Sequence, residues 1–258
     1  MQIQLLPKRP GPFFAHIALY IAVVWGVVYL RQNALLYHPT VLMLDEVLHS
    51  AKGPSLQLWP QVQGYRALLA PLPAVPVRGT VVVFHGNAGS VFAYAFYAKA
   101  LGRLGYRTLL AEYPAFGARQ GELGETSLVA DARETLRMAH ESFGQPLYVI
   151  GQSLGAGVAA AAVAHSPVPI AGVAVLTPWD TLPDLAQDKF WYLRARWLVR
   201  DSFDSIANLN QFSGRVAVGI ASDDEVSNHQ AGRNSPALGS APQPFGPVPA
   251  ARTVTRLV

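Results

Sequence analysis

The stretch PLYVIGQSLGAGVAAAAVA, Pro146 to Ala164, constrains the fold more tightly than any other part of the sequence. An apolar, β-branched run ends in Gly-Gln-Ser-Leu-Gly, and small helix-forming residues follow at once. A strand that turns into a helix over so few residues brings the backbones on either side of Ser153 together. The positions two before and two after it must therefore lack bulk, which Gly151 and Gly155 do.

The surrounding pattern repeats this strand-then-helix unit. TVVVFHG (Thr80 to Gly86) is a continuous apolar run of the kind buried on both faces, and Ser90 to Gly105 is helix-like. YRTLLAEY (Tyr106 to Tyr113) reads as a strand. Leu128, Ala132, Leu136 and Ala139 mark the apolar stripe of a helix whose other face carries Asp131, Arg133, Glu134 and Arg137. Strands follow at PLYVIG, Ile170 to Leu176 and Arg215 to Ala221, with the Leu154 to His165 helix between the first two. Upstream, GYRALLA (Gly64 to Ala70) is strand-like, and the Pro-rich PLPAVPV after it is irregular. Alternation of this kind implies an α/β fold with a mostly parallel central sheet and helices on both faces. Residues 177–213, rich in Trp, Phe, Leu and Arg, form either a small helical cap insertion over a site or plain packing helices.

With 258 residues the chain accommodates one α/β domain. Its net charge of +4 comes from scattered Lys and Arg with no dense basic run, which argues against nucleic acid as a partner. The absence of cysteine excludes disulfides, thiolate catalysis and thiolate metal sites. No spacing of metal ligands and no G-x-G-x-x-G pattern is present, so neither a metal nor a cofactor is expected. Oligomeric state is left open.

Residues 1–11 form an N-terminal flank containing Lys8 and Arg9. PFFAHIALYIAVVWGVVYL, Pro12 to Leu30, then runs without a formal charge until Arg31, long enough to cross a bilayer as a helix. No small-x-small cleavage site follows, which favours an uncleaved transmembrane anchor over a signal peptide. The positive residues ahead of the span, together with the amino terminus, slightly outweigh Arg31 and Lys52 behind it. That places the N-terminus in the cytoplasm and the domain on the opposite side of the cell membrane, single-pass.

A serine hydroxyl attacks an acyl carbon only when it is positioned and a base removes its proton. The turn positions Ser153, and it leaves the Leu154 N–H at a helix start, where negative charge on an acyl oxygen is stabilised. A second oxyanion donor would come from the loop His85-Gly-Asn-Ala-Gly-Ser90, as the Asn87 N–H. His85 itself reads as a structural hydrogen-bonding residue.

Taken with NALLYHP, FHGNAGS, EYPAFGARQGE, TPWDTLPDLA, RWLVRDSFDS and ASDDEV, these pieces resemble, in order and from about residue 36 to 226, the α/β-hydrolases, and within them the membrane-anchored, serine-aminopeptidase-like abhydrolase-domain branch. The resemblance implies an α/β-hydrolase domain over 31–226, Ser153 as nucleophile and a catalytic acid in the loop after RVAVGIA. Asp224 matches the family position; Asp223 is its neighbour. The family then continues through a helix and a last strand to a Gly-His pair that supplies the base.

This chain departs there. Residues 227–258 hold no acidic residue and are dominated by Pro, Ala, Gly and Ser, as in an irregular, non-homologous tail in which only RTVTRLV could form a strand. His229 is the one histidine after Asp224, short of the family's position for the base. A truncation or frameshift near Val226 would account for an intact first part and an alien end, and would leave the strand at 215–221 as an exposed sheet edge.

Two functions follow. One is a membrane-anchored serine hydrolase that cleaves an ester, thioester or amide of a small-molecule or acyl substrate through an acyl-enzyme on Ser153. The other is a catalytically inactive or impaired hydrolase-fold protein acting as a binding or scaffold module.

Overall fold

The computed structural model describes residues 12–60, 64–221 and 251–256. In chain order the helices are α1 (Pro12–Leu36), α2 (Leu44–Lys52), α3 (Ala95–Arg103), α4 (Glu125–Phe143), α5 (Leu154–Ala164), α6 (Leu182–Lys189) and α7 (Ser205–Gln211). The strands are β1 (Gln57–Trp59), β2 (Ala67–Leu69), β3 (Gly79–Phe84), β4 (Tyr106–Ala111), β5 (Leu147–Gln152), β6 (Gly172–Leu176), β7 (Arg215–Ala221) and β8 (Ala251–Arg256). They form one sheet in the order β1-β2-β4-β3-β5-β6-β7-β8. From β4 to β7 every neighbouring pair is parallel, whereas β1, β2 and β8 run antiparallel to their neighbours.

Strand alternation sends consecutive side chains into two separate cores. Val82, Phe84, Leu109, Ala111, Leu147 and Val149 meet α4 and α5 on one face. Val81, Val83, Leu110 and Leu68 meet α2 and α3 on the other. Every residue of β3 is buried, which is why its sequence carries no polar alternation. The Ala- and Gly-rich composition of α5 lets it fit between the sheet, α4 and α7, with all but its last residue buried. At Gly157 an added Cβ would meet the Phe203 ring carbons at 3.2 and 3.3 Å.

Three features differ from the sequence expectation. The N-terminal helix does not stop at Leu30 but continues to Leu36, because Gln32 and Asn33 beyond Arg31 have partners on the domain. The stretch RTVTRLV contributes β8, whose pairing with β7 from Val216↔Arg256 to Ala221↔Ala251 gives β7 a neighbour on both sides. The exposed edge expected at β7 is therefore absent. Residues 177–213 divide between both readings offered for them: α7 packs against α5, while the two 3-10 turns at Trp191–Leu193 and Ala195–Trp197 turn aromatic side chains outward.

Candidate active site

β5 delivers Ser153 at its carboxyl end, where the chain reverses into α5. Ser153 has φ 55° and ψ −119°, a left-handed conformation that a non-glycine residue adopts only at a cost of about 1–3 kcal/mol. The two flanking glycines explain how the turn closes. A Cβ on Gly151 would stand 2.1 Å from the Gly155 carbonyl oxygen, and one on Gly155 would stand 2.1 Å from the Phe84 carbonyl oxygen. The strand, the helix start and the end of β3 are thus in backbone contact. The Ser153 N–H donates to the Leu176 carbonyl of β6 at 3.0 Å, which fixes the turn to the next strand.

Leu154 is the first residue of α5, so its N–H belongs to the set that a helix cannot satisfy internally. The second loop of the site leaves β3 at Phe84. Gly86 lies against the turn: a Cβ there would be 3.5 Å from the Ser153 Cβ and 2.9 Å from the Tyr94 hydroxyl, which accepts the Gly86 N–H at 2.8 Å.

His85 is buried beneath this loop. Its Nε2 lies 2.8 Å from Glu112 Oε1 and its Nδ1 lies 2.7 Å from the Gly86 carbonyl. The Tyr113 hydroxyl donates to the His85 carbonyl at 2.7 Å, and the Tyr113 ring lies 4.4 Å from the imidazole. Burial pushes the Tyr113 hydroxyl well above its ordinary range, so it remains a donor at any physiological pH. His85 therefore supports the loop from below. The turn after β4 is held in the same way, with Arg119 gripping Asp131 of α4 by two parallel bonds of 2.7 Å.

The Asn87 side chain has a role that its position in the sequence did not suggest. Its side chain donates from Nδ2 to the Leu36 carbonyl at 2.6 Å and accepts the His38 N–H on Oδ1 at 3.0 Å. The loop expected to hold an oxyanion is thereby clamped to the end of α1. The same stretch of α1 is tied elsewhere: Asn33 Nδ2 donates to the Leu123 carbonyl at 2.8 Å, and Gln32 Oε1 accepts the Arg200 N–H at 2.8 Å. The Tyr37 hydroxyl donates to Asp201 at 2.5 Å, and its pKa is raised by burial and then by that carboxylate.

Ser153, Leu154 and Gly86 thus converge at the carboxyl edge of the sheet, with Asn87 next in the same loop. Asp224 and His229, like Asp223, lie outside the described residues; β7 ends at Ala221, at this same edge. Among the described residues no group of His, Asp and Glu could hold a metal ion. Sequence reasoning missed Glu112 and Tyr94 as supports of the loop. Both lie in quoted or adjacent motif segments, yet nothing in their spacing shows which residue they meet.

A family model described as serine aminopeptidase, S33 matches residues 75–224, more than half of the chain. The chain belongs to this family. The relatives that the chain matches sit at modest distance. An uncharacterised protein of Mycobacterium tuberculosis is 27% identical over 234 residues, covering 84% of this chain and 79% of that protein. The lysophosphatidylserine lipase ABHD12 of Danio rerio is 27% identical over 176 residues, 59% of this chain and 45% of the lipase, so the chain spans less than half of that relative's length. The crystal structure of an alpha-beta hydrolase from Vibrio vulnificus superposes with a TM-score of 0.51 at 15% identity, covering 66% of this chain and 64% of that one. This likeness shows the fold, an α/β-hydrolase.

Proposed function

We propose that the protein is a membrane-anchored serine hydrolase that forms an acyl-enzyme on Ser153. The observation that carries the reading is the turn itself: a serine at φ 55°, between glycines that cannot bear a Cβ, at the start of a buried helix. A fold stores such strain where a side chain must be presented.

In this reading Ser153 Oγ attacks the acyl carbon while a base takes its proton, and the oxyanion accepts from the Leu154 and Asn87 N–H groups. The proton passes to the leaving alcohol, thiol or amine, and water then releases the acid. Asp224 and His229 are the proposed acid and base, the acid orienting the histidine and stabilising its cation. α1, apolar and exposed along Phe13 to Leu30, is the proposed anchor, with the N-terminus cytoplasmic and the domain on the opposite side. The lipase named among the relatives makes an acyl ester of a lipid one substrate to try first.

The test is labelling of the detergent-solubilised protein with a fluorophosphonate probe beside Ser153→Ala. Serine-dependent labelling supports the hydrolase. A folded protein that takes no label supports the second reading, an inactive hydrolase-fold binding module, which the departure of the C-terminal sequence from the family pattern favours.

A further inference from the structure

We infer that residues 189–200 form a second membrane contact, a cap surface that seats on the headgroups of an anionic bilayer beside the point where α1 enters it. The inference rests on the reading of α1 as a membrane anchor.

Trp191, Tyr192 and Trp197 are 72%, 62% and 79% exposed, an unusual display of large aromatics within one short segment. The backbone arranges it. Arg194, at φ 51°, joins the two 3-10 turns in a left-handed conformation. Ala195 and Leu198 consequently point into the protein, while the three aromatics and Arg194 point out. The segment holds Lys189, Arg194, Arg196 and Arg200 and is bounded by Asp188 on one side and Asp201 on the other. Arg196 pairs with Asp184, and Lys189 lies over the Phe190 ring at 5.8 Å.

The position of this surface identifies its occupant. The Arg200 N–H is held by Gln32, and its guanidinium lies 5.1 Å over the Tyr29 ring. Tyr29 and Gln32 flank Arg31, where the apolar run of α1 gives way to charge, which is the headgroup level of a spanning helix. The cap segment is therefore bolted to the anchor at that level. Tryptophan and tyrosine seat at the lipid interface, and clustered Arg and Lys are drawn to anionic headgroups. An interfacial patch continuous with a spanning helix explains both the exposed aromatics and the exposed Lys189 and Arg194 set among them.

Because the chain has no cysteine, single probes can be placed cleanly. The full chain carrying Trp197→Cys, and separately Trp191→Cys, is labelled with an environment-sensitive fluorophore. It is then reconstituted in vesicles of phosphatidylcholine alone or mixed with phosphatidylglycerol. Lys99→Cys, on the exposed face of α3, serves as the aqueous reference. The expected result is that the protein floats with both vesicles and the probe at 197 is several-fold better shielded from iodide than the probe at 99. The shielding should be stronger with phosphatidylglycerol and reduced by Lys189→Glu with Arg194→Glu. Each variant is accepted only if it unfolds thermally like the parent.

Flotation with a 197 probe as open to iodide as the 99 probe overturns the inference and leaves the anchor standing. Failure to float overturns both. Shielding that follows protein density equally in neutral and anionic vesicles assigns the surface to a second copy of the chain, which also overturns it. Fluorophosphonate labelling reads the hydrolase independently of all these outcomes.

Discussion

Replacing Gly155 by alanine places one methyl group where the fold has no room for it. The new Cβ would stand 2.1 Å from the Phe84 carbonyl oxygen, 2.6 Å from its carbon and 2.7 Å from the His85 carbonyl oxygen, whereas ordinary contact begins at 3.4 Å. The obstacles are backbone atoms of β3 and its exit loop, so no side-chain rotation relieves them. Opening the gap means moving Phe84, which is buried and paired to Ala111 on one side and Gly151 on the other. Overpacking of this kind costs about 1–3 kcal/mol. The loss of one or two ladder hydrogen bonds adds about 1 kcal/mol each. Alanine's better helix propensity returns about 1 kcal/mol. The net is a destabilisation of about 3 kcal/mol, which lowers Tm by about 6–12 °C in a domain of this size. Labelling by fluorophosphonate should fall as well, since the same shift displaces Ser153 and the loop that holds Asn87. Gly102→Ala on α3, where nothing lies within 4 Å, is the matched control. It should be neutral or stabilising by about 0.5–1 kcal/mol. Thermal unfolding of both variants in the same detergent decides the matter. A Gly155→Ala protein that melts within 2 °C of the parent, as a roughly 1 kcal/mol change would allow, and labels normally would refute the close-approach argument.

Ser153→Gly should abolish labelling yet raise stability by about 1 kcal/mol, because glycine adopts the left-handed conformation without strain; unchanged or lowered Tm would show that the turn is not strained. Asn87→Asp keeps an acceptor for the His38 N–H but sets an oxygen against the Leu36 carbonyl, in place of the 2.6 Å donor bond. It should lower kcat about 10–100-fold by misplacing the loop, with KM little changed; a change confined to KM would count against a positioning role. Burial pushes the Tyr65 hydroxyl up from 10.0 to about 12, so its proton stabilises the folded state fully below pH 10.0 and that contribution is lost as pH rises through 12. Tyr65→Phe should therefore flatten part of the decline in unfolding free energy between pH 10.0 and 12, by an amount on the order of 2 kcal/mol; an identical alkaline decline in both proteins would rule Tyr65 out as its source.

Elements that were legible in the sequence are those whose signal is local. Continuous apolar runs gave β3, β4 and β5, and the spacing of Leu128, Ala132, Leu136 and Ala139 gave α4, because a strand or helix with a buried face must repeat at its own period. α2 escaped notice because its start at Met43 offers no usual cap residue; the Met43 N–H is instead satisfied by the Glu46 side chain at 2.7 Å. β1, with only three residues, is too short for any period to show. At the site, the glycines around Ser153 announce the turn because steric demand leaves no alternative there. The Asn87 clamp was not legible, since Leu36 lies 51 residues away and only the folded chain brings them together. The same holds for His85 and Glu112, whose meeting depends on β3 and β4 being neighbours.

Covalent reach bears on whether His229 can serve as the base. β5, β6 and β7 are successive parallel neighbours, so the carboxyl end of β7 stands two strand spacings, about 10 Å, from that of β5. An extended chain covers about 3.3–3.6 Å per residue, so Asp224 is tethered within about 11 Å of Ala221 and His229 within about 28 Å. Both residues are therefore within tether of Ser153, and the short distance from acid to base in the sequence does not forbid a triad. His229→Gln tests it: if His229 is the base, the variant keeps the parent's Tm and loses fluorophosphonate labelling by about 10³-fold or more. Labelling that survives at the parent's rate would remove His229 from the mechanism, while leaving the Ser153 turn and the proposed oxyanion donors as they stand.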